Sequence, residues 1–338
     1  MEELEKKVSL THEKHDGYGE IFEEINNNQI DSILITKGYY DMLLESGDES
    51  AKNTRVLYQF SIKEQIKDTS IDVDVTNETF SVYISGIDSY GSVTDQSRSD
   101  VNIIMTVNPK AKKILLINTP RDYYVGLYGQ VGNIKLNGEK DKLTHAGTYG
   151  VSVSQETLEN LFDIKINYYF KVNYNAVIKL VDALDGVDVY SDHNFSTYDY
   201  HYRINKGMNH VNGKQALDFV RTRKAFTDGD RVRGENQQHL IEAIFKKVST
   251  AEAVLMKFDQ ILSSLEGNFT TNLSTKKITS LVKMQLDDMA TWDIKSIAVN
   301  GSDGSEFTHS YQSQKLYVMI PDEETINAAK AELKAMQK

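Results

Sequence analysis

Three apolar runs follow one another between Phe80 and Asn118, and they constrain the fold of this chain more than any other feature. Phe80–Ser85 runs straight into Gly86-Ile87-Asp88-Ser89. Val101–Val107 is stopped by Asn108-Pro109, and Lys113–Asn118 by Thr119-Pro120-Arg121. Apolar runs of this length, bounded by turn residues, read as strands of a sheet covered on both faces. Helical patterns supply the cover. Ser152 and Ser154, with Gln155, offer N-caps for a helix ending at Phe162, and Asn175–Leu184 is a helix stopped by Gly186. Lys214–Arg221, Arg233–Val248, Glu252–Leu265 and Thr275–Asp287 (capped by Ser274) read as further helices, and so does the charged stretch from Glu323 onward. Ile166–Asn173, Val187–Tyr190, Ser296–Val299 and Lys315–Ile320 read as strands. This alternation predicts an α/β or mixed α+β class with a covered central sheet.

A length of 338 residues suits one large domain and a smaller one. The smaller is expected at 1–76, with helices Glu2–Asn27 and Tyr39–Glu45, strands Asp31–Thr36 and Arg55–Ser61, and a polar linker at Lys67–Asn77. The larger is expected at 77–338.

The absence of cysteine excludes disulfides, thiol catalysis and Cys-ligated zinc. A net charge of −11 argues against a nucleic-acid partner, which demands a basic excess. Yet four arginines and a lysine fall within the thirteen residues from Arg221 to Arg233. A basic patch in an acidic chain points to a specific anion site. No run reaches the roughly 18 apolar residues that cross a bilayer. The charged start, Met1 to Lys7, is no signal peptide. The expectation is a cytosolic protein or the soluble part of a longer membrane-anchored one.

Two groups of residues can carry chemistry. Asp88 follows one strand, and Arg98 and Asp100 precede the next. If those strands are neighbours, both carboxylates reach one sheet edge and can seat Mg²⁺ beside substrate phosphates, although loop aspartates in turns have the same spacing. Arg121 follows the third strand, Arg221 and Arg223 end a helix, and Arg233 and Gln237 share a helical face. Converging guanidinium groups grip phosphate oxygens in bidentate fashion, although a solvated basic loop has the same composition. Other schemes find no support. There is no Gly-rich phosphate loop, no Gly-x-Ser-x-Gly elbow and no HExxH spacing among the eight histidines. His193, His201, His210 and His239 read as surface or loop residues. Tyr198, Tyr200 and Tyr202 read as a strand face, with a sugar-stacking platform as the other option.

In consistent order the motifs resemble the LytR-CpsA-Psr family. Ile84–Asp88, Ser97–Asp100 and Ile117–Asp122 resemble its opening. Lys135–Asn137, His145–Tyr149 and the pair Gly186-Val187 follow. Gly213–Arg223, Gly229-Asp230, Arg233 and Gln237 are similar to its closing signature. The match covers about 80–240 and is most similar to capsule-associated CpsA-type members of streptococci. Asn236 stands where the family often has arginine, and Asp185-Gly186 where it has paired glycines.

The resemblance implies a mixed sheet sandwiched by helices, with a long apolar pocket for a polyprenyl chain and a small N-terminal accessory domain. It implies Mg²⁺, or Mn²⁺, held by Asp88 and Asp100. It assigns Arg98, Arg121, Lys135, Arg221, Arg223, Arg233 and Gln237 to the pyrophosphate and Asp230 to supporting the arginines. The implied reaction moves capsular polysaccharide or another phosphoglycan from a polyprenyl-pyrophosphate carrier to peptidoglycan, with Asp88 or Asp100 accepting the hydroxyl proton. The implied place is the outer face of a Gram-positive cell membrane, anchored by a segment upstream of Met1. A polyprenyl-pyrophosphate pyrophosphatase and a non-catalytic lipid-binding regulator use the same residues. The apolar stripes of Glu252–Leu265 and Thr275–Met289 can line the lipid pocket but read as ordinary core.

Overall fold

A six-stranded mixed sheet runs through the computed structural model, which describes residues 21, 24–35, 40, 44, 53–59, 69–87, 90, 93, 96–197, 201–227 and 229–337. In chain order its first three strands are β1 (Phe80–Ile87), β2 (Ser99–Asn108) and β3 (Lys113–Asn118), the runs marked by the sequence. A hairpin of β4 (Tyr124–Val131) and β5 (Ile134–Lys142) follows, then helices α1 (Leu143–Tyr149) and α2 (Val151–Phe162). Strand β6 (Tyr168–Val172), helix α3 (Tyr174–Ala183) and strand β7 (Val187–Ser191) come next. Short strands β8 (Phe195–Ser196) and β9 (Arg203–Ile204) precede β10 (Gly207–Val211), α4 (Gly213–Arg221) and the long α5 (Gly229–Thr250). The chain closes with α6 (Glu252–Leu255), α7 (Phe258–Ser264), β11 (Phe269–Thr271), α8 (Thr275–Asp288), β12 (Asp293–Ala298), the hairpin β13 (Gly301–Thr308) and β14 (Tyr311–Pro321), and α9 (Glu323–Met336).

The central sheet has the order β11-β6-β1-β2-β3-β12, with β1–β6 and β3–β12 parallel and the other pairs antiparallel. Alternation along the strands sorts side chains to two faces. Tyr83, Ile104, Leu115 and Ile117 pack under α1, α2 and α9. Val82, Ile103, Leu116 and Tyr168 face α5 and α8. Each fully buried aliphatic side chain contributes about 1.5–3 kcal/mol, so both faces are strongly driven. A further apolar cluster joins α3, α4 and α5 to the β7–β10 pair.

The two hairpins stand at the end of the sheet where β3 stops. Met319 N–H donates to the Asp122 carbonyl at 2.7 Å, and His309 N–H to the Lys140 carbonyl at 2.9 Å, which ties one hairpin to the other.

Several sequence expectations are corrected. The helix expected from Arg233 begins at Gly229, so Arg233 lies in its second turn. Glu252–Leu265 is broken into α6 and α7 at Met256-Lys257, where Met256 is exposed. Helix α2 starts after Gly150, whose φ of 117° stops α1, so Ser152 and Ser154 lie inside the helix and do not cap it. Residues 31–35 and 54–59 carry no strand, and Leu34, Val56 and Leu57 are exposed. The rest of the expected N-terminal elements, together with Tyr198 and Tyr200, lie outside the described residues.

Candidate phosphate and lipid site

The register of β2 and β3 places the first ion pair of the site. Ile103 pairs with Asn118, and three residues further in that antiparallel sense Asp100 comes opposite Arg121. The Arg121 guanidinium donates to Asp100 Oδ2 at 2.7 Å, and Thr144 Oγ1, from the first turn of α1, donates to Oδ1 at 3.1 Å. Burial pushes the Asp100 carboxyl up, but Arg121, Arg233 and Arg98 outweigh it and hold the group below the ordinary carboxylate range. Beside them, Lys142 pairs with Asp122 at 2.9 Å.

Helix α5 brings the next group. Asp230 stands in its first turn, where a carboxylate suits the helix dipole, and pairs with Arg233 at 3.0 Å and Arg223 at 3.9 Å. Burial draws the Arg233 guanidinium downward, opposed by Asp230 and Asp100. A guanidinium still stays charged at any physiological pH. Arg221, the last residue of α4, donates from Nε to the Tyr174 hydroxyl at 2.9 Å and lies 4.5 Å from that ring's centroid.

These residues border two connected spaces. A small polar pocket is lined by Asp100, residues 118–122, Asp230, Arg233, Gly234, Gln237 and Met319. A cavity of about 930 Å³ shares Asp100, Arg121, Arg233 and Gln237 with it and adds Arg221 and Arg223. From there the cavity runs between the sheet and helices α3 to α8, along Val82, Met105, Phe170, Leu240, Phe258, Leu281 and Trp292. Helices α7 and α8 therefore wall a cavity, which corrects their reading as plain core.

The structure thus gathers Asp100, Arg121, Arg221, Arg223, Asp230, Arg233 and Gln237, with half-buried Arg98 acting on Asp100. Asp88 lies outside the described residues; the strand end before it, Ile87, pairs with Ser99 next to Asp100. Lys135 is exposed near the turn of the β4–β5 hairpin and lines neither space, which Lys142 at the other end of β5 approaches instead. Asn236 turns away from the pocket, donating to the Phe219 carbonyl at 3.2 Å. Sequence reasoning missed Thr144, Lys142 and Tyr174. For the first two the signal was their place beside His145 in a quoted motif.

An apolar cavity whose mouth is ringed by arginines and a carboxylate matches, in chemistry, an amphiphile with an anionic head. A protein-family model, the LytR_cpsA_psr family, matches residues 45–335, and the chain belongs to that family. It is 33% identical over 275 residues to the polyisoprenyl-teichoic acid–peptidoglycan teichoic acid transferase TagU of Enterococcus faecalis, covering 80% of this chain and 84% of that one. TagU of Bacillus licheniformis is 32% identical over 265 residues, covering 78% and 77%. Among solved structures, TagT bound to LIIa-WTA superposes with a TM-score of 0.61 at 26% identity, covering 82% of this chain and 99% of that one.

Proposed function

We propose that this chain transfers a phosphoglycan from a polyprenyl-pyrophosphate carrier to peptidoglycan at the outer face of a Gram-positive membrane. The observation that carries this reading is the tunnel with its charged mouth. A cavity of about 930 Å³ walled mostly by apolar side chains leaves that surface in contact with water when nothing fills it, at about 25 cal/mol per Å² of apolar area. Such a space is kept for something that fills it. A long hydrocarbon fits the walls, and a pyrophosphate fits Arg121, Arg221, Arg223 and Arg233 at the mouth.

Phosphoryl transfer asks the protein for position and charge rather than covalent chemistry. The arginines grip the pyrophosphate and neutralise charge that builds on its oxygens. A wall-sugar hydroxyl attacks the glycan-linked phosphorus, and polyprenyl phosphate leaves. Asp100, with both oxygens engaged and three arginines acting on it, is a poor proton acceptor, so the role of base falls to Asp88.

Asp100 also fits a divalent metal: it is held ionised, and each oxygen accepts one hydrogen bond and keeps a second lone pair at the edge of the pocket. No cage of three or more His, Asp or Glu forms among the described residues. Mg²⁺ or Mn²⁺ would then be held by Asp100 and Asp88, with pyrophosphate oxygens completing its shell, and would supply further charge neutralisation. The relatives it matches are named for teichoic acid transfer, which makes a phosphoglycan of the teichoic acid type the glycan we favour over capsular polysaccharide. No helix among the described residues is long and apolar enough to cross a membrane.

The test uses a polyprenyl-pyrophosphate-linked saccharide, a peptidoglycan acceptor and Mg²⁺. The unmodified chain is expected to form the phosphodiester product. Arg233→Ala is expected to lower turnover at least about 100-fold, the scale of losing a preorganised charge donor in a water-poor site. Product formation that ignores both Arg233→Ala and Arg221→Ala would remove the arginine cluster from the chemistry.

A further inference from the structure

The β13–β14 hairpin leaves one face open to solvent, and that face begins at the phosphate pocket. Met319 lines the pocket. Tyr317 and Lys315 succeed it on the same face, since side chains two apart along a strand point the same way. The register sets Asp303 opposite Met319 and Ser305 opposite Tyr317; it breaks between Glu306 and Thr308, and Phe307 at that break stays beside this face, with Lys315 Nζ 5.8 Å from its ring centroid. Two rings of this face are open to solvent, Tyr317 at 46% exposure and Phe307 at 50%.

The face is built, not loose. The Tyr317 hydroxyl donates to Asp303 Oδ1 at 2.8 Å. Lys142 Nζ lies 5.9 Å from the Tyr317 ring centroid while pairing with Asp122 at 2.9 Å, so the ring is one side chain removed from the pocket wall. Partial burial, then Asp303 and the carboxylates of Asp122 and Asp230, raise the phenol well above its usual pKa, so it remains a donor. Backbone bonds from Met319 to Asp122 and from His309 to Lys140 fix the hairpin to the domain, as does the Tyr124 hydroxyl on the Phe307 carbonyl at 2.9 Å.

In-line displacement then decides what the face is for. Attacking and leaving oxygens stand on opposite sides of the phosphorus. The leaving polyprenyl phosphate is held by its tail in the tunnel. Asp122, Asp230 and Met319 border the small pocket and not the tunnel, so the far side of the arginine cluster opens toward the hairpin. Resting on the transferase reading above, we infer that the acceptor saccharide docks on this hairpin face, with Tyr317 as its inner stacking platform and Phe307 as its outer one. A pyranose lays its C–H face on an aromatic ring while its hydroxyls remain free for groups such as Asp303 and Ser305. From there one acceptor hydroxyl oxygen bonds to the glycan-linked phosphorus as the bond to the polyprenyl phosphate oxygen breaks. That phosphate takes the bonding electrons, and the hydroxyl proton passes to the proposed carboxylate base. A ring already oriented in the free protein keeps the ordering cost of docking low.

Transfer from a polyprenyl-pyrophosphate saccharide to a soluble peptidoglycan oligosaccharide, at varied concentrations of each, tests the assignment. Tyr317→Ala is expected to raise the acceptor KM about tenfold with less than a twofold change in donor KM, and Tyr317→Phe, which keeps the ring, to restore most of the loss. Phe307→Ala is the second variant, with a several-fold rise expected, and it serves should Tyr317→Ala not fold. An acceptor KM unchanged in both alanine variants, while the donor is still turned over, overturns the docking face and leaves the transferase reading standing. No donor turnover by the unmodified chain would overturn the transferase reading and this inference with it.

Discussion

Asp141 and His145 show how a buried charge far from solvent can serve a site it does not touch. His145 Nδ1 lies 2.6 Å from Asp141 Oδ1 and 2.9 Å from Ser310 Oγ, and Ser310 N–H donates to Asp141 Oδ2 at 2.8 Å. All three are buried. The cluster pins the first turn of α1 to β5 and the β13–β14 turn, and Thr144 in that turn holds Asp100. Burial raises the Asp141 carboxyl, but His145 and the Ser310 hydrogen bonds hold it below the ordinary carboxylate range. A carboxyl with a depressed folded pKa contributes its stability above the unfolded value, about 3.9, and loses it as pH falls through the folded one. Asp141→Asn is therefore expected to cost about 3 kcal/mol at pH 7, the scale of breaking a buried pair. The loss should shrink as pH drops below about 4, where the unfolded carboxyl takes up protons while the native one, held lower, still does not. Urea unfolding at pH 7 and pH 3.5 checks this; a penalty that is the same at both would show that the charge of Asp141 contributes nothing.

At the scale of elements, the site depends on how closely α5 approaches the end of β3. Gly234 allows it: a Cβ there would stand 2.1 Å from Asn118 Nδ2, and Asn118 is itself buried. Gly234→Ala is expected to push the helix outward, cost about 1–3 kcal/mol as an overpacked contact, and lower kcat by misplacing Arg233, the residue before it, and Gln237, about one turn after it. A variant with native stability and native kcat would show that the helix has slack.

The same scale explains what the sequence disclosed. Strands β1 to β3 were legible because both faces of the sheet are covered, which leaves continuous apolar runs. The arginines were legible because charge clusters are rare in an acidic chain. The two hairpins were not. In Tyr124–Lys142 the apolar residues are broken up by Gly126, Gly129, Gly132 and Gly138 and by a charged second half, and half of the second hairpin, Gly301–Thr308, is almost wholly glycine and polar. Lys142 comes from the unread hairpin, and the strand that holds Tyr317 was read without the partner strand that turns it toward the site. Lys135 was assigned by resemblance of its motif, but a hairpin register carries it to the exposed end of β5. Core and tunnel walls were indistinguishable, because an apolar stripe reads the same whether it meets another helix or a hydrocarbon.

The whole molecule joins opposites: a net charge of −11, an apolar tunnel, and a positive mouth where the two meet. A net negative chain disfavours polyanions in general, while the arginines gather positive charge at that mouth. The tunnel adds selectivity for tail length, and this can be tested apart from the chemistry. Met105 lines the tunnel on β2, five residues from Asp100, which at about 3.4 Å per residue puts it roughly 17 Å from the mouth. Met105→Trp would fill open space rather than overpack a core, so the fold should tolerate it. A donor whose tail ends above Met105 is expected to keep its KM within about twofold. A long-chain donor, unable to pass the indole, should lose the burial of its distal tail and show a KM at least about tenfold higher, a penalty of about 1.4 kcal/mol or more. Each CH₂ kept out of the tunnel forfeits about 0.8 kcal/mol, so displacing even two groups suffices. Equal effects on both donors would mean that the tail does not enter the tunnel as far as Met105, and the apolar cavity would then need another occupant.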